Sequence, residues 1–431
     1  MAYRLFTYAA FVALLQSTLS IASDAPHWVD IWTTMPQLTE PANLPPVPFN
    51  STPSIFPNTT LRQTLRLTQP VSTIRLRLSN AFGEDDLSIT SVAIALPPND
   101  TLGTPLVDSE TVTPVLFDGE SSIIIPPGSL GVSDLISLPA GTNTTLAVDI
   151  YLADGQTGGA MTSHPGSRTT SYMVFGNEVG VENLNTTNSE GANVDHWYFI
   201  ATIEAPLPLP YKGCALLGDS ITDGRGSDTN ENDRWPDRLL PILHSNPATK
   251  PISLLNQAAG GNRILHDSLG PSLLSRIDRD VLSHSNIHYA LIFSGVNDIG
   301  TASTSPADQA LTARRLIRAY RQIITRLHAA DIAVFGATIT PFGTLPNATY
   351  VQPYSDPERE RTRQVVNDWI RTGGAFDQVV DFDAIARDPA DPACLLPRFD
   401  SGDHLHLNAE GYEALARGVP VGIFEVDYFG V

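Results

Sequence analysis

The alternation of hydrophobic and polar positions changes character near residue 205. Before it, short runs alternate with a period of two between clusters of Gly, Pro, Asn and Asp; in residues 72–78, Ile74, Leu76 and Leu78 share one face. Such runs predict antiparallel strands, and several of them need a second sheet to bury their faces. We predict a β-sandwich over residues 24–205. Its strands are expected at 64–67, 72–78, 91–96, 122–125, 145–151 and 196–203.

Beyond a proline-rich stretch at 206–211, apolar strands alternate with segments of helical spacing. The prolines predict an extended linker, and the alternation over 212–431 predicts an α/β domain with a parallel sheet between helices. The expected strands are 214–217, 252–255, 289–293, 332–339 and 379–382, and the expected helices are 235–244, 307–330, 355–371 and 408–417. Ligands bind such sheets beyond the carboxyl ends of the strands.

The first residues have the pattern of a signal peptide. Residues 5–19 are almost wholly apolar, Arg4 precedes them, and small residues stand at Ser20 and Ala22. We expect cleavage after residue 22 and an extracellular location, with a membrane anchor as the alternative and no further membrane span. Sequons for N-glycosylation agree with secretion, and they lie at Asn50, Asn58, Asn99, Asn143, Asn185 and Asn347.

Charge and cysteine content narrow the possible partners. With 46 acidic and 26 basic residues the formal net charge is −20, which disfavours nucleic acid, although acidity also serves solubility alone. The only cysteines are Cys214 and Cys394, and whether they form a disulfide stays open. No His/Cys spacing suits zinc. We expect neither a metal nor another cofactor.

Two polar motifs carry the residues of a serine hydrolase. Ser220 lies in Gly-Asp-Ser-Ile-Thr-Asp-Gly (218–224), after a predicted strand, although a turn would also favour these residues. Near the C-terminus, Asp403 lies three residues before His406. A serine hydroxyl needs a base such as histidine, and the imidazole needs a carboxylate to orient it. His404 is adjacent to Asp403 and should point elsewhere.

Two further strand ends could supply donors for an oxyanion. Gly260, Gly261 and Asn262 follow the second strand of the predicted α/β domain, and Gly295-Val296-Asn297-Asp298 follows the third. Backbone N–H groups of glycine and the side-chain amide of Asn297 are suitable donors. Both segments could equally be ordinary turns at strand ends.

Taken together, the four blocks resemble the SGNH (GDSL-type) hydrolase superfamily over residues 212–420. GDSIT resembles its first block, GGN its second, GVND its third and DHLH its last. The resemblance implies a flavodoxin-like three-layer α/β fold. It also implies that Ser220 is the nucleophile, His406 its base and Asp403 the partner of that base. Ala258 and Gly260 depart from the usual second block, so Gly260 remains a candidate beside Gly261, which with Asn297 and the Ser220 N–H would form the oxyanion hole.

The stretch from Gly218 to Asp237 is similar to an acetyl xylan esterase-like subgroup that has a β-sandwich ahead of the hydrolase domain. By this resemblance Asp223, Arg225 and Trp235 could contact substrate, while Trp235 could instead begin a packed helix. We therefore expect a secreted serine esterase that acts on small acyl, especially acetyl, esters of polysaccharides or small molecules. The alternatives are an extracellular lipase and a non-catalytic carbohydrate-binding protein.

Overall fold

A computed structural model describes residues 26–138, 144–184, 191–345 and 348–430. The predicted signal peptide and the sequons at Asn143, Asn185 and Asn347 lie outside the described residues. Of the remaining sequons, Asn58 and Asn99 are exposed and Asn50 is half-buried. Within the described ranges, no helix combines the length and the apolar character needed to cross a bilayer.

The N-terminal half is built from antiparallel strands, as predicted. The strands are β1 His27–Thr33, β2 Gln37–Leu38, β3 Thr59–Arg66, β4 Thr73–Ser79, β5 Leu87–Ile89, β6 Ser91–Leu96, β7 Asp108–Val115, β8 Ile123–Ile125, β9 Leu130–Val132, β10 Ile136–Ser137, β11 Thr145–Leu152, β12 Thr162–His164, β13 Ser171–Phe175, β14 Gly191–Val194, β15 Trp197–Tyr198 and β16 Ile200–Leu207. They form one sheet with the order β14-β13-β3-β11-β6-β7, a second with β1-β16-β4-β10 and with β9 beside β4, and smaller sheets β15-β12-β2 and β5-β8.

Alternation of apolar and polar residues predicts β11, although this strand is buried on both faces. On β11, Leu146, Val148 and Ile150 are buried, while Asp149 on the opposite face forms a buried ion pair with Arg62 of β3 at 2.7 Å. The first strand, β1, is also covered on both faces over most of its length, and it is absent from the predicted strands.

The predicted strand at 196–203 is two strands, β15 and β16, in different sheets. Phe199 between them has a φ of 62°, a left-handed conformation that interrupts an extended chain. The chain therefore passes from one sheet to the other at this residue.

The predicted linker at 206–211 also needs correction. β16 continues through Pro206 and Leu207, which pair with Trp28 and His27 of β1. Its pairing with β4 ends at Glu204, so the proline lies where β16 has only one neighbour and a missing N–H is tolerated. The connection is then a short turn at 208–211, in which the Tyr211 N–H donates to the Pro208 carbonyl.

The C-terminal half has the predicted flavodoxin-like α/β fold. Its strands are β17 Lys212–Gly218, β18 Ile252–Asn256, β19 Ile287–Phe293, β20 Ala333–Ala337 and β21 Gln378–Val380. All are parallel, in the order β18-β17-β19-β20-β21. The helices are α1 Ser220–Asp223, α2 Trp235–His244, α3 Leu273–Ile277, α4 Val296–Thr301, α5 Pro306–His328, α6 Pro357–Thr372, α7 Phe382–Ala386 and α8 Ala409–Gly418.

Each half has its own hydrophobic core, and polar contacts join the two. One core centres on the buried faces of the antiparallel sheets, and the other surrounds β17 to β21. Across the boundary, the Asp30 carboxylate on β1 meets the His284 Nδ1 at 2.5 Å. Cys214 and Cys394 are both buried free thiols in this structure.

Candidate active site

Ser220 lies just beyond the carboxyl end of β17, the strand between β18 and β19. Asp219 caps the single-turn helix α1 by accepting a hydrogen bond from the Ile221 N–H at 3.1 Å. Ser220 is the first residue of α1, so its N–H has no partner within the helix. Gly224 ends α1 at a φ of 96°, a conformation that favours glycine.

A continuous chain of hydrogen bonds joins Ser220, His406 and Asp403. Ser220 Oγ lies 2.7 Å from His406 Nε2, and His406 Nδ1 lies 2.6 Å from Asp403 Oδ2. Ser220 follows β17, whereas Asp403 and His406 lie together in the loop before α8. In this geometry the imidazole can accept the hydroxyl proton while the carboxylate holds its tautomer.

The environment of Asp403 keeps this carboxylate ionised. Its Oδ1 accepts the N–H groups of Leu405 and His406 at 3.1 and 2.9 Å. Burial opposes ionisation, but these bonds and the His406 side chain hold the pKa of Asp403 well below its usual range. The Gln352 side chain donates to the Asp403 carbonyl at 2.7 Å and so supports the turn. His404 turns away and binds Asp400 instead, as predicted.

The second block forms a loop beside Ser220, and its two glycines differ. The Gly260 N–H already donates to Asp223 Oδ2 at 3.0 Å. Gly261 has a φ of 70°. In the described part of the chain, neither the Gly261 N–H nor the Ser220 N–H has a hydrogen-bond acceptor. The geometry therefore favours Gly261 over Gly260 as a donor to a bound oxyanion.

Asn297 lies next to this loop and is held at both ends of its amide. Its Nδ2 donates to the Asn262 carbonyl at 3.0 Å, which leaves one N–H of the amide for another acceptor. Its Oδ1 accepts from the Tyr354 hydroxyl at 3.0 Å, which fixes the direction of the amide. The neighbouring Asp298 accepts the N–H groups of Ile264 and Leu265 at 2.8 and 3.0 Å, and so fastens the second block to the third.

A buried arginine ties the first two blocks together. Arg276 on α3 donates to the Gln257 carbonyl at 2.6 Å and to the Gly218 carbonyl at 3.3 Å, and its charge is matched by Asp280 at 2.8 Å. The strand ends of β17 and β18 are therefore held by one guanidinium group.

Two of the residues that sequence resemblance suggested as substrate contacts are structural. Trp235 is wholly buried, stacks edge-to-face on Phe382 and donates to Thr222, so its indole cannot reach a ligand. Asp223 is also buried, at 1% exposure, and its carboxylate is occupied by protein groups. Arg225 is exposed and remains available.

No pattern in the sequence points to Tyr354, Gln352 or Arg276. Tyr354 and Gln352 lie in an irregular segment before α6, and Arg276 lies on a helix too short to show a period. Each acts through a hydrogen bond to a residue tens of positions away or to a backbone carbonyl, and such contacts leave no local pattern.

A comparison with known protein families matches most of the C-terminal half of the chain. Residues 216–414 match the family described as GDSL-like lipase/acylhydrolase. These residues form a GDSL-like lipase/acylhydrolase domain. The protein is accordingly a carboxylic ester hydrolase. No curated protein sequence matches the chain.

Several solved structures resemble the GDSL-like domain. An acetyl xylan esterase, AlAXEase, is 21% identical, with 48% of this chain and 96% of that chain covered and a TM-score of 0.35. A carbohydrate acetylesterase family member from Sinorhizobium meliloti is 16% identical, with 49% and 98% covered and a TM-score of 0.38. A GDSL-like lipase from Bacteroides thetaiotaomicron is 16% identical, with 50% and 88% covered and a TM-score of 0.35.

Burial of Asp219 leads to a pH-dependent stability. Burial raises the pKa of Asp219 to about 7, and the nearby carboxylates of Asp298 and Asp223 act in the same direction. Because the unfolded chain releases this proton near pH 4, raising the pH from about 4 to 7 favours unfolding through this group. Asp219→Asn keeps the cap acceptor and removes the charge, so its gain in Tm over wild type should be larger at pH 8 than at pH 4.5.

The expected extra gain is about 2 °C or more, which corresponds to roughly 1 kcal/mol for a domain of this size. The measurement is thermal unfolding of the wild type and of Asp219→Asn at pH 4.5 and pH 8. Every other titratable group is present in both proteins, so its contribution cancels in the difference in Tm. Asp86→Asn, at an exposed carboxylate, controls for the substitution itself. An equal difference in Tm at pH 4.5 and pH 8 contradicts the assignment.

Proposed function

We propose that the protein hydrolyses esters through a covalent acyl-enzyme formed on Ser220. The observation that carries the proposal is the chain of hydrogen bonds from Ser220 Oγ to His406 at 2.7 Å and from His406 to Asp403 at 2.6 Å. His406 takes the hydroxyl proton as Ser220 attacks the ester carbonyl, and the negative charge of Asp403 stabilises the imidazolium. The proton then passes to the leaving alcohol.

The oxyanion of the tetrahedral intermediate is bound by the N–H groups of Ser220 and Gly261 and by the amide of Asn297. These donors are fixed before substrate arrives, which is the property that makes an oxyanion hole effective. In the second half-reaction, His406 activates a water molecule, which attacks the acyl carbonyl and releases Ser220. Every step uses only groups of the chain, the ester and water.

Ser220→Ala should abolish hydrolysis of p-nitrophenyl acetate, by at least about 10³-fold in kcat, because no nucleophile remains. His406→Ala should have a comparable effect, whereas the matched control His404→Ala should keep near wild-type activity, since His404 is bound to Asp400. A fluorophosphonate probe should label the wild type and not Ser220→Ala. Full activity in Ser220→Ala, with an unchanged Tm, would refute the assignment of Ser220 as the nucleophile.

The same probe tests the alternative that the protein is a non-catalytic carbohydrate-binding protein with a hydrolase fold. Such a protein would bind polysaccharide but would not react with the probe. The intact set of Ser220, His406 and Asp403 in hydrogen-bonding geometry favours the enzyme.

For the substrate we propose short acyl esters, acetyl above all, on a polysaccharide. The support is the resemblance of residues 218–237 to the acetyl xylan esterase-like subgroup and the polar character of the surrounding loops. In addition, Tyr350 is 47% exposed and lies 6.4 Å, centroid to centroid, from the His404 ring, near the turn that holds Asp403. An exposed aromatic ring there offers an apolar face to a sugar ring.

The lipase alternative predicts the opposite preference for chain length. On p-nitrophenyl esters we expect kcat/KM for acetate to exceed that for octanoate by at least about tenfold, because each added methylene gains energy only where an apolar groove buries it. Release of acetate from acetylated xylan and acetylated pectin would then identify the polymer. A preference for octanoate would favour the lipase.

We also propose that the protein is secreted and N-glycosylated. The apolar run at 5–19 and the exposed side chains of Asn58 and Asn99 support this. Expression of the full chain in a eukaryotic host should give protein in the medium whose N-terminus begins at Ser23. Treatment with an endoglycosidase should reduce its mass. In Asn58→Gln this loss of mass should be smaller by the mass of one glycan. Retention of the intact N-terminus within cells would contradict secretion.

A further inference from the structure

A histidine of the N-terminal domain contacts the helix that carries the proposed nucleophile. His164, the last residue of β12, places its Nε2 2.9 Å from Asp223 Oδ1 on α1. Its Nδ1 lies 3.1 Å from the Met35 carbonyl oxygen. Both side chains of the pair are almost fully buried, at 4% exposure for His164 and 1% for Asp223.

Hydrogen-bond partners hold the His164 ring at both of its nitrogens. Nδ1 meets the Met35 carbonyl and Nε2 meets the Asp223 carboxylate, so the ring is fixed at two points.

Asp223, which His164 contacts, is connected to two parts of the site. It is the last residue of α1, whose first residue is Ser220, and its second oxygen accepts the Gly260 N–H at 3.0 Å. Gly260 immediately precedes Gly261, so fixing its N–H restricts the orientation of the loop that carries the Gly261 N–H. One carboxylate thus joins the helix of the nucleophile to the loop that carries Gly261.

The loop that follows β12 encloses the pair. Gly166 lies so close to Asp223 that a Cβ at this position would overlap the carboxylate. The Ser167 carbonyl accepts from Arg234 at 3.4 Å, and the Arg168 carbonyl accepts from the Asn230 N–H at 2.9 Å. The N-terminal domain therefore closes over Asp223 and excludes the space into which it could turn.

We propose that His164 and Asp223 are positioning residues, through which the N-terminal domain sets the geometry of the oxyanion site; this rests on the proposed function. Misplacement of a donor by a fraction of an ångström lowers kcat with little effect on ground-state binding. A pair that only joined the domains would affect stability and leave kcat unchanged per folded molecule.

Two substitutions at His164 separate these roles. In His164→Gln the side-chain amide nitrogen stands near the Nε2 position and can still donate to Asp223. In His164→Asn it stands near Nδ1 and can reach only the Met35 carbonyl. For p-nitrophenyl acetate we expect kcat to fall about tenfold in His164→Asn, with KM within about twofold of wild type, and to stay within about threefold in His164→Gln.

The concentration of active sites is measured with the fluorophosphonate probe, so that kcat refers to folded enzyme. His27→Gln is the matched control, since His27 also lies at the domain boundary but contacts the Tyr211 carbonyl and Asn286, away from the site; its kcat should be unchanged. If His164→Asn does not fold, the comparison moves to Asp223, where Asp223→Asn keeps an acceptor for Gly260 and should retain more of kcat than Asp223→Ala.

Equal kcat values for His164→Asn and His164→Gln, or for the two Asp223 variants where those are used, overturn the positioning role. This outcome is distinct from failure of the proposed function, in which the wild type itself would show no hydrolysis dependent on Ser220. Wild-type hydrolysis through Ser220 combined with equal variants would refute only the role of His164 and Asp223.

Discussion

The parallel register of β17, β18 and β19 is the constraint on which the site depends. Parallel strands end at the same edge of a sheet, so the segments after Gly218, Asn256 and Phe293 meet although they are far apart in sequence. The register of the sheet therefore brings the nucleophile, the segment of Gly260 and Gly261, and Asn297 to one place.

Buried polar groups convert this proximity into a fixed geometry. Arg276 binds carbonyls at two strand ends, Asp298 binds two N–H groups just after residues 260–262, and Tyr354 orients the amide of Asn297. Each such group loses much of its hydration, and its hydrogen bonds make up for that loss only in one arrangement. The donors around Ser220 are thus held in place without substrate, which is the condition for electrostatic stabilisation of an oxyanion.

The N-terminal domain takes part in this arrangement beyond covering a surface. Its strand β1 pairs with β16 and packs beside β17 and β18 of the parallel sheet, while His164 contacts Asp223 on the helix of the nucleophile. Asp219 and Asp223 are neighbours on one turn with different environments: the first is desolvated with a single backbone donor, and the second has an imidazole and an N–H.

The sequence by itself determined the two fold classes, the order of the catalytic strands and the candidates Ser220, Asn297, Asp403 and His406, because these are carried by periodicity and by short motifs. Tertiary structure decided the rest. It favoured Gly261 over Gly260 by occupying one N–H, buried Asp223, decided between the two alternatives for Trp235 in favour of a packed helix, and extended β16 through Pro206. These outcomes depend on which distant groups become neighbours and on what solvent can reach, and neither leaves a trace in the local pattern of the chain.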